Sequence, residues 1–146
     1  DTNIAAANTA MGNYFSVVAI LRTRPMDPMV PGSGPSASQD ARNYGLTLAA
    51  MSQYAEDHVM SVSSAMVTAM ISDAADGIMD GMRGHSPISM SMGGMMGGGH
   101  MSPTAGAGDL AEAMATFMNS AANASGMTAA DMAALSQQLA PCDGRT

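Results

Sequence analysis

The 146-residue chain has no lysine, no tryptophan, a single cysteine, two phenylalanines and three tyrosines. Each absence excludes something. One cysteine, Cys142, makes no internal disulfide and no haem-attachment pair; it reads as an incidental terminal thiol or, in an oxidising compartment, as a bridge to another chain. The only glutamates are Glu56 and Glu112, which rules out a carboxylate-bridged di-iron bundle needing paired Glu-x-x-His motifs. Five arginines against twelve acidic residues leave a net charge of −7, so phosphate backbones and anionic lipid surfaces are repelled. No apolar run reaches the length of a membrane span, and no segment has the form of a signal peptide. No Gly-x-Ser-x-Gly elbow, phosphate-cradling glycine signature or zinc spacing is present, and the three histidines lack motif partners. An enzyme is not expected, and neither nucleic acid nor a bilayer is expected as a partner.

What is present is alanine and methionine, 18 of the latter. Alanine permits close helix approach, and methionine fills irregular gaps through three rotatable bonds and a polarizable sulfur. With β-branched and aromatic residues scarce, the composition predicts an all-α fold. At this length a single domain over 1–146 is expected, burying roughly two-thirds of its unfolded surface. The chain opens on Asp1 inside an apparent helix, which points to a processed product or a piece of a larger protein.

Apolar periodicity predicts a first helix over 3–15. Four prolines and two glycines between Arg24 and Pro35 then mark a long loop near 24–35. A second helix is expected from Ser36, with Ser36 or Ser38 as N-cap and a stripe through Ala41, Tyr44, Leu48, Met51, Ala55 and Val59. His58 is placed to partner that helix's C-terminal carbonyls. A third helix is expected over roughly 64–81 with Met66, Met70, Ala74, Ile78 and Met82 inward and Val67, Ile71 and Ala75 widening the face. Asp73, Asp76 and Asp80 would project from one side as a solvated acidic face, since they lack the loop pattern of a calcium site. Beyond a second long loop near 84–108, a fourth helix over 109–123 buries Leu110, Ala113 or Met114, Phe117 and Ala121. Gly126 suits a left-handed turn. Thr128 with Asp131 forms a capping box for a fifth helix, 129–139, stopped by Pro141. The sum is a small bundle of four to five amphipathic helices with two long loops.

The stretch Ile78 to Met101, IMDGMRGHSPISMSMGGMMGGGHM, differs from the rest. Its thioethers and imidazoles at His85, Met90, Met92, Met95, Met96, His100 and Met101 are a candidate Cu(I) site, because soft sulfur ligands suit that ion and glycines allow the chain to fold back. Against this stands a loop of the same apolar palette as the helices. Seven methionines are costly to leave in water, at roughly 1.5–3 kcal/mol for each side chain that burial would cover. Part of the stretch is therefore predicted to pack.

Three phrases carry a resemblance: AANTAMGNYFSVVAILRTRPMDP, SASQDARNYGLTLAAMSQYA and MATFMNSAANASGMTAADMAAL. Together they resemble a helical module of large secreted or surface-anchored bacterial lipoproteins, where such modules sit among β-sandwich repeats. The resemblance implies an extracytoplasmic location and a structural, adhesive or assembly role, acting through protein partners or self-association. It supplies no catalytic residues. Cu(I) binding by the methionine stretch is the alternative function.

Overall fold

A computed structural model describes residues 2–60, 62–90 and 99–142. The chain is mostly helical. Helix α1 (Thr2–Tyr14) is followed by a proline-rich excursion containing one short turn of helix, α2 (Ser33–Ser36), and then by the longest helix, α3 (Gln39–Asp57). Helix α4 (Ser64–Asp73) runs into a 3₁₀ turn over Ala74–Asp76. A two-residue hairpin pairs β1 (Met82–Arg83) with β2 (Ser86–Pro87), antiparallel, Met82 opposite Pro87. Helix α5 (Gly108–Met118), a second 3₁₀ turn (Ala129–Met132) and α6 (Ala133–Leu139) complete the order.

The centre of the molecule is α3 against α5, the most extensive helix pairing. Leu46, Ala50, Met51, Tyr54 and Ala55 of α3 meet Leu110, Ala111, Ala113, Met114, Phe117 and Met118 of α5 in one core. Alanine at four of these positions removes side-chain bulk where the helices must approach, and methionine fills what remains. Met66 and Met70 of α4 and Leu135 and Leu139 of α6 extend the same core.

Local signals set several boundaries. Ser38 caps α3, its Oγ accepting from the Ala41 N–H at 3.3 Å. At the far end His58 is the C-cap residue, and the Met60 N–H reaches the Ala55 carbonyl at 2.8 Å. Val59 takes the left-handed conformation there (φ 51°), a position glycine ordinarily fills. The capping box of Thr128 and Asp131 is formed, and Gly126 is left-handed.

Other expectations are corrected. The third helix stops at Asp73 rather than at residue 81, because Gly77 turns left-handed (φ 89°) and the chain doubles back. The fourth stops at Met118 rather than 123. Asn119, Ser120 and Asn123 side chains bond to the carbonyls of Ala115, Phe117 and Met118, offering the backbone an alternative to further helix. Ala121 is therefore exposed beyond the helix end. The fifth opens as a 3₁₀ turn before becoming α-helical at Ala133. Leu48, Val59, Val67, Ile71 and Ile78, all assigned to inward faces, are exposed. Helix α3 instead turns Asn43, Gly45, Leu46 and Thr47 inward.

Gly45 shows why. The proline-rich segment lies directly on α3, with the Met26 N–H donating to the Ala41 carbonyl at 2.9 Å, and a Cβ at Gly45 would sit 2.0 Å from the Met26 carbonyl oxygen. Gly45→Ala should therefore destabilise the protein by about 1–3 kcal/mol despite alanine's better helix propensity, read as a lower urea midpoint. Thr47 is the opposite case: its buried Oγ1 has no hydrogen-bond partner. Thr47→Val keeps the shape and should raise the midpoint by the equivalent of about 1 kcal/mol.

Candidate functional site

The candidate metal stretch is built on Asp73. At the end of α4 this carboxylate is fully buried, not part of a solvated acidic face as the i, i+3, i+7 spacing implied. Its Oδ1 accepts three backbone N–H groups, from Asp80 (3.1 Å), Gly81 (2.8 Å) and Met82 (3.2 Å). Asp76 and Asp80 are used the same way. Asp76 accepts from Ile78 at 3.2 Å and Gly84 at 2.7 Å, and Asp80 from Met82 at 3.0 Å. The three carboxylates thus fold a turn instead of presenting a cation face.

From that turn the chain continues as a ribbon. The Ile88 N–H donates to the Gly81 carbonyl at 3.0 Å, Met90 to Gly99 at 2.8 Å and Met101 to Ile88 at 2.8 Å, with Ser89 bridged to His100. Gly81 (φ 78°) is required: a Cβ there would lie 2.7 Å from the Met101 carbonyl oxygen. Side chains alternate across such a ribbon. Met90 and Met101 point into the core, whereas Ser89 and His100 are exposed. Met79 is also fully buried, so the predicted packing of part of the stretch is found.

The candidate ligands are accordingly divided. His85 sits exposed in the turn between β1 and β2, and His100 is exposed on the ribbon's outer face. Met90 and Met101 lie on its inner face. Met92, Met95 and Met96 fall outside the described residues. Among the described residues, no group of three or more His, Cys, Asp or Glu side chains is placed to hold a metal ion.

Two further polar places have partners that the sequence analysis did not identify. The Tyr54 ring stacks on His58 (centroids 4.0 Å apart, planes at 20°), with His58 Nδ1 2.9 Å from the Tyr54 carbonyl. Burial, and next the nearby Asp109 charge, push the Tyr54 phenol up to about 12, so it remains neutral at physiological pH. Asp57, Asp109 and Glu112 line a cleft of about 370 Å³ beside this pair. The second place is Cys142, half-buried and 3.5 Å from the Tyr14 hydroxyl, a more enclosed setting than an incidental terminal thiol. The i, i+4 spacing of Tyr54 and His58 is visible in the sequence. The partners of Asp73 and Cys142 are not, because they come from chain reversal and from 128 residues away.

Asp73 is sealed from solvent, so its chemistry is structural: a bound substrate would not reach it. No helix of the described residues is long and apolar enough to cross a membrane. No family model, characterised protein or solved structure matches the chain.

Burial raises the Asp73 carboxyl above its ordinary 3.8, against the pull of the three N–H donors. The folded state thus holds this proton more tightly than the unfolded chain. Its contribution is full below 3.8 and is lost as pH rises through the raised value. Asp131 works in the other direction: Thr128's backbone N–H and hydroxyl hold its carboxyl low, giving stability that is lost as pH falls. Asp73→Asn should remove the first dependence and keep the second, so wild-type stability relative to Asp73→Asn declines from about pH 4 upward in urea titrations. Asp73→Ala leaves three N–H donors unpaired and should cost about 3 kcal/mol or more.

Proposed function

We propose that this chain is a non-catalytic helical module, a small bundle of four to five amphipathic helices with two long loops, that acts in structure, adhesion or assembly through protein contacts outside the cytoplasm. The observation that carries the reading is where its large apolar side chains lie on the surface. Isolated exposed apolar residues are ordinary, but contiguous ones mark contact sites. Four of them, Met29, Leu48, Val67 and Ile71, line two concavities. One, of about 470 Å³, lies between the Pro25–Met29 segment and α3, with Met29 (67 % exposed) and Leu48 on its wall. The other, of about 310 Å³, lies between α1 and α4, where Ala7, Ala10, Met11, Val67 and Ile71 form an uncharged lining. The three phrases that resemble surface lipoprotein modules support the same reading and its extracytoplasmic location.

A second reading, Cu(I) binding, draws support from the ribbon, which ties Met90 to Gly99 and so brings together the two ends of the methionine segment.

Site-directed photo-cross-linking from Met29, Leu48 and Ile71 in the producing cell tests the first reading. High-mass adducts from these positions, and none from exposed Ser86, are expected; an absence of adducts from all three would sink it. Cu(I) titration against a competing chelator tests the second, which requires affinity that falls at least tenfold when Met92, Met95 and Met96 are changed to leucine.

A further inference from the structure

Between α1 and the proline-rich segment the chain forms a one-turn knuckle. The Ala19 carbonyl accepts from both Arg22 and Thr23 N–H groups at 2.8 Å, which places Val18, Leu21 and Arg22 toward one side. Val18 is 91 % exposed and Leu21 76 %, and Arg22 and Arg24 beside them are exposed as well. The knuckle is held rigidly in this unfavourable presentation. Ser16 sits in the left-handed region (φ 52°), a strained conformation for a residue with a Cβ. Its carbonyl accepts from Asn43 Nδ2 at 2.7 Å and its hydroxyl donates to Gln138 at 2.7 Å, while the Val18 N–H donates to Asp40 at 3.0 Å. Buried Val17 anchors the underside. Several tertiary bonds therefore keep apolar side chains in water next to two of the chain's five arginines.

Asp40 is in the first turn of α3. At the other end of that helix, about 25 Å away at 1.5 Å per residue, opens the cleft lined by Asp57, Asp109 and Glu112 with Tyr54, His58, Ala113 and Thr116. A cationic, apolar projection and an acidic recess thus sit at opposite ends of one rigid rod, where they cannot meet within one molecule. Guanidinium groups match carboxylates in bidentate geometry and stack on rings such as the exposed His58.

We propose that the Val18–Arg24 knuckle docks into the Asp57–Asp109–Glu112 cleft of a second copy of this chain, giving a head-to-tail, heterologous association. This specifies the partner within the protein-contact reading and rests on it. Such a contact repeats from copy to copy and builds rings or filaments instead of closing as a two-fold dimer.

Sedimentation velocity of the full chain over a concentration series tests it. Association is expected at low salt and should weaken at least tenfold near 0.5 M salt, where the Debye length is only a few ångströms. The exposed double variants R22E/R24E and D57R/E112R, each checked for wild-type circular dichroism, should be monomeric alone and should associate when mixed, because the reversed knuckle of one meets the reversed cleft of the other. Val18→Asp should also abolish association. A monomeric wild-type chain, salt-independent association, or a mixture that stays monomeric overturns the inference. In-cell adducts from Met29, Leu48 and Ile71 to other proteins would in that case leave the wider reading standing, whereas absence of those adducts with intact head-to-tail association would overturn the two concavities as contact sites and leave self-association as the protein contact.

Discussion

A core made of alanine and methionine must gain its stability from closeness, and everything else in this structure depends on α3 lying against α5. Alanine buries little area per residue, and methionine loses up to about 2 kcal/mol of rotamer freedom when fixed, more than leucine or isoleucine. Such a core holds only where backbones approach closely enough for small side chains to touch. Ala50, Ala55, Ala111 and Ala113 do this between the two central helices, and Gly45 does it between α3 and the proline-rich segment. That segment is consequently a fixed layer on α3, not a free connection.

The second requirement is a means of fixing long connections without lysine and with few charges of either sign. The chain uses short polar side chains that bond to backbone. Asp73 gathers three N–H groups and so sets the turn from which the ribbon starts. Asn123 donates to the carbonyls of Met118 and Met127, at 3.0 Å each, and accepts from Ser125, tying the exit of α5 to the approach of α6. Gln138 of α6 donates to the carbonyls of Asn13 and Tyr14, closing the end of α1 against the far end of the chain. Bonds of this kind are individually worth about 1 kcal/mol, and where a partner is buried, as at Asp73, leaving it unmade costs more, so they specify which loop conformation survives.

This division explains what the sequence disclosed. Elements governed by neighbours along the chain were legible: the Ser38 cap, the Thr128–Asp131 capping box, the left-handed Gly126, the helical class and the punctuating role of the prolines. Elements governed by distant partners were not. Leu48 and Val59 fit the apolar stripe of α3 by spacing, yet the helix presents Gly45 and Thr47 inward because the Met26 backbone packs there. Asp73, Asp76 and Asp80 have the spacing of a helix face, but that spacing has meaning only if the helix continues, and Gly77 ends it. Of the candidate ligands, the sequence placed His85, Met90, His100 and Met101 in one stretch but could not say that pleating sends the methionines inward and His100 outward. That depends on register between Ile88–Met90 and Gly99–Met101, which local spacing does not encode.

The same balance bears on the surface. Burying a large apolar side chain stabilises by roughly 1.5–3 kcal/mol, so where such residues stay outside the local structure must hold them there. Met29 and Leu48 flank a concavity that the packed proline segment itself creates, and Val18 and Leu21 are held outward by bonds from Asn43, Asp40 and Gln138 that a floppy loop would not need. Ser16's left-handed backbone persists only because those bonds over-determine it. Strain and polar ties spent on exposing apolar side chains act against the stability of the isolated molecule. They are accounted for when those side chains are covered by another surface, and the knuckle arginines and the cleft carboxylates give that surface a sign: acidic opposite the knuckle, cationic and apolar opposite the cleft.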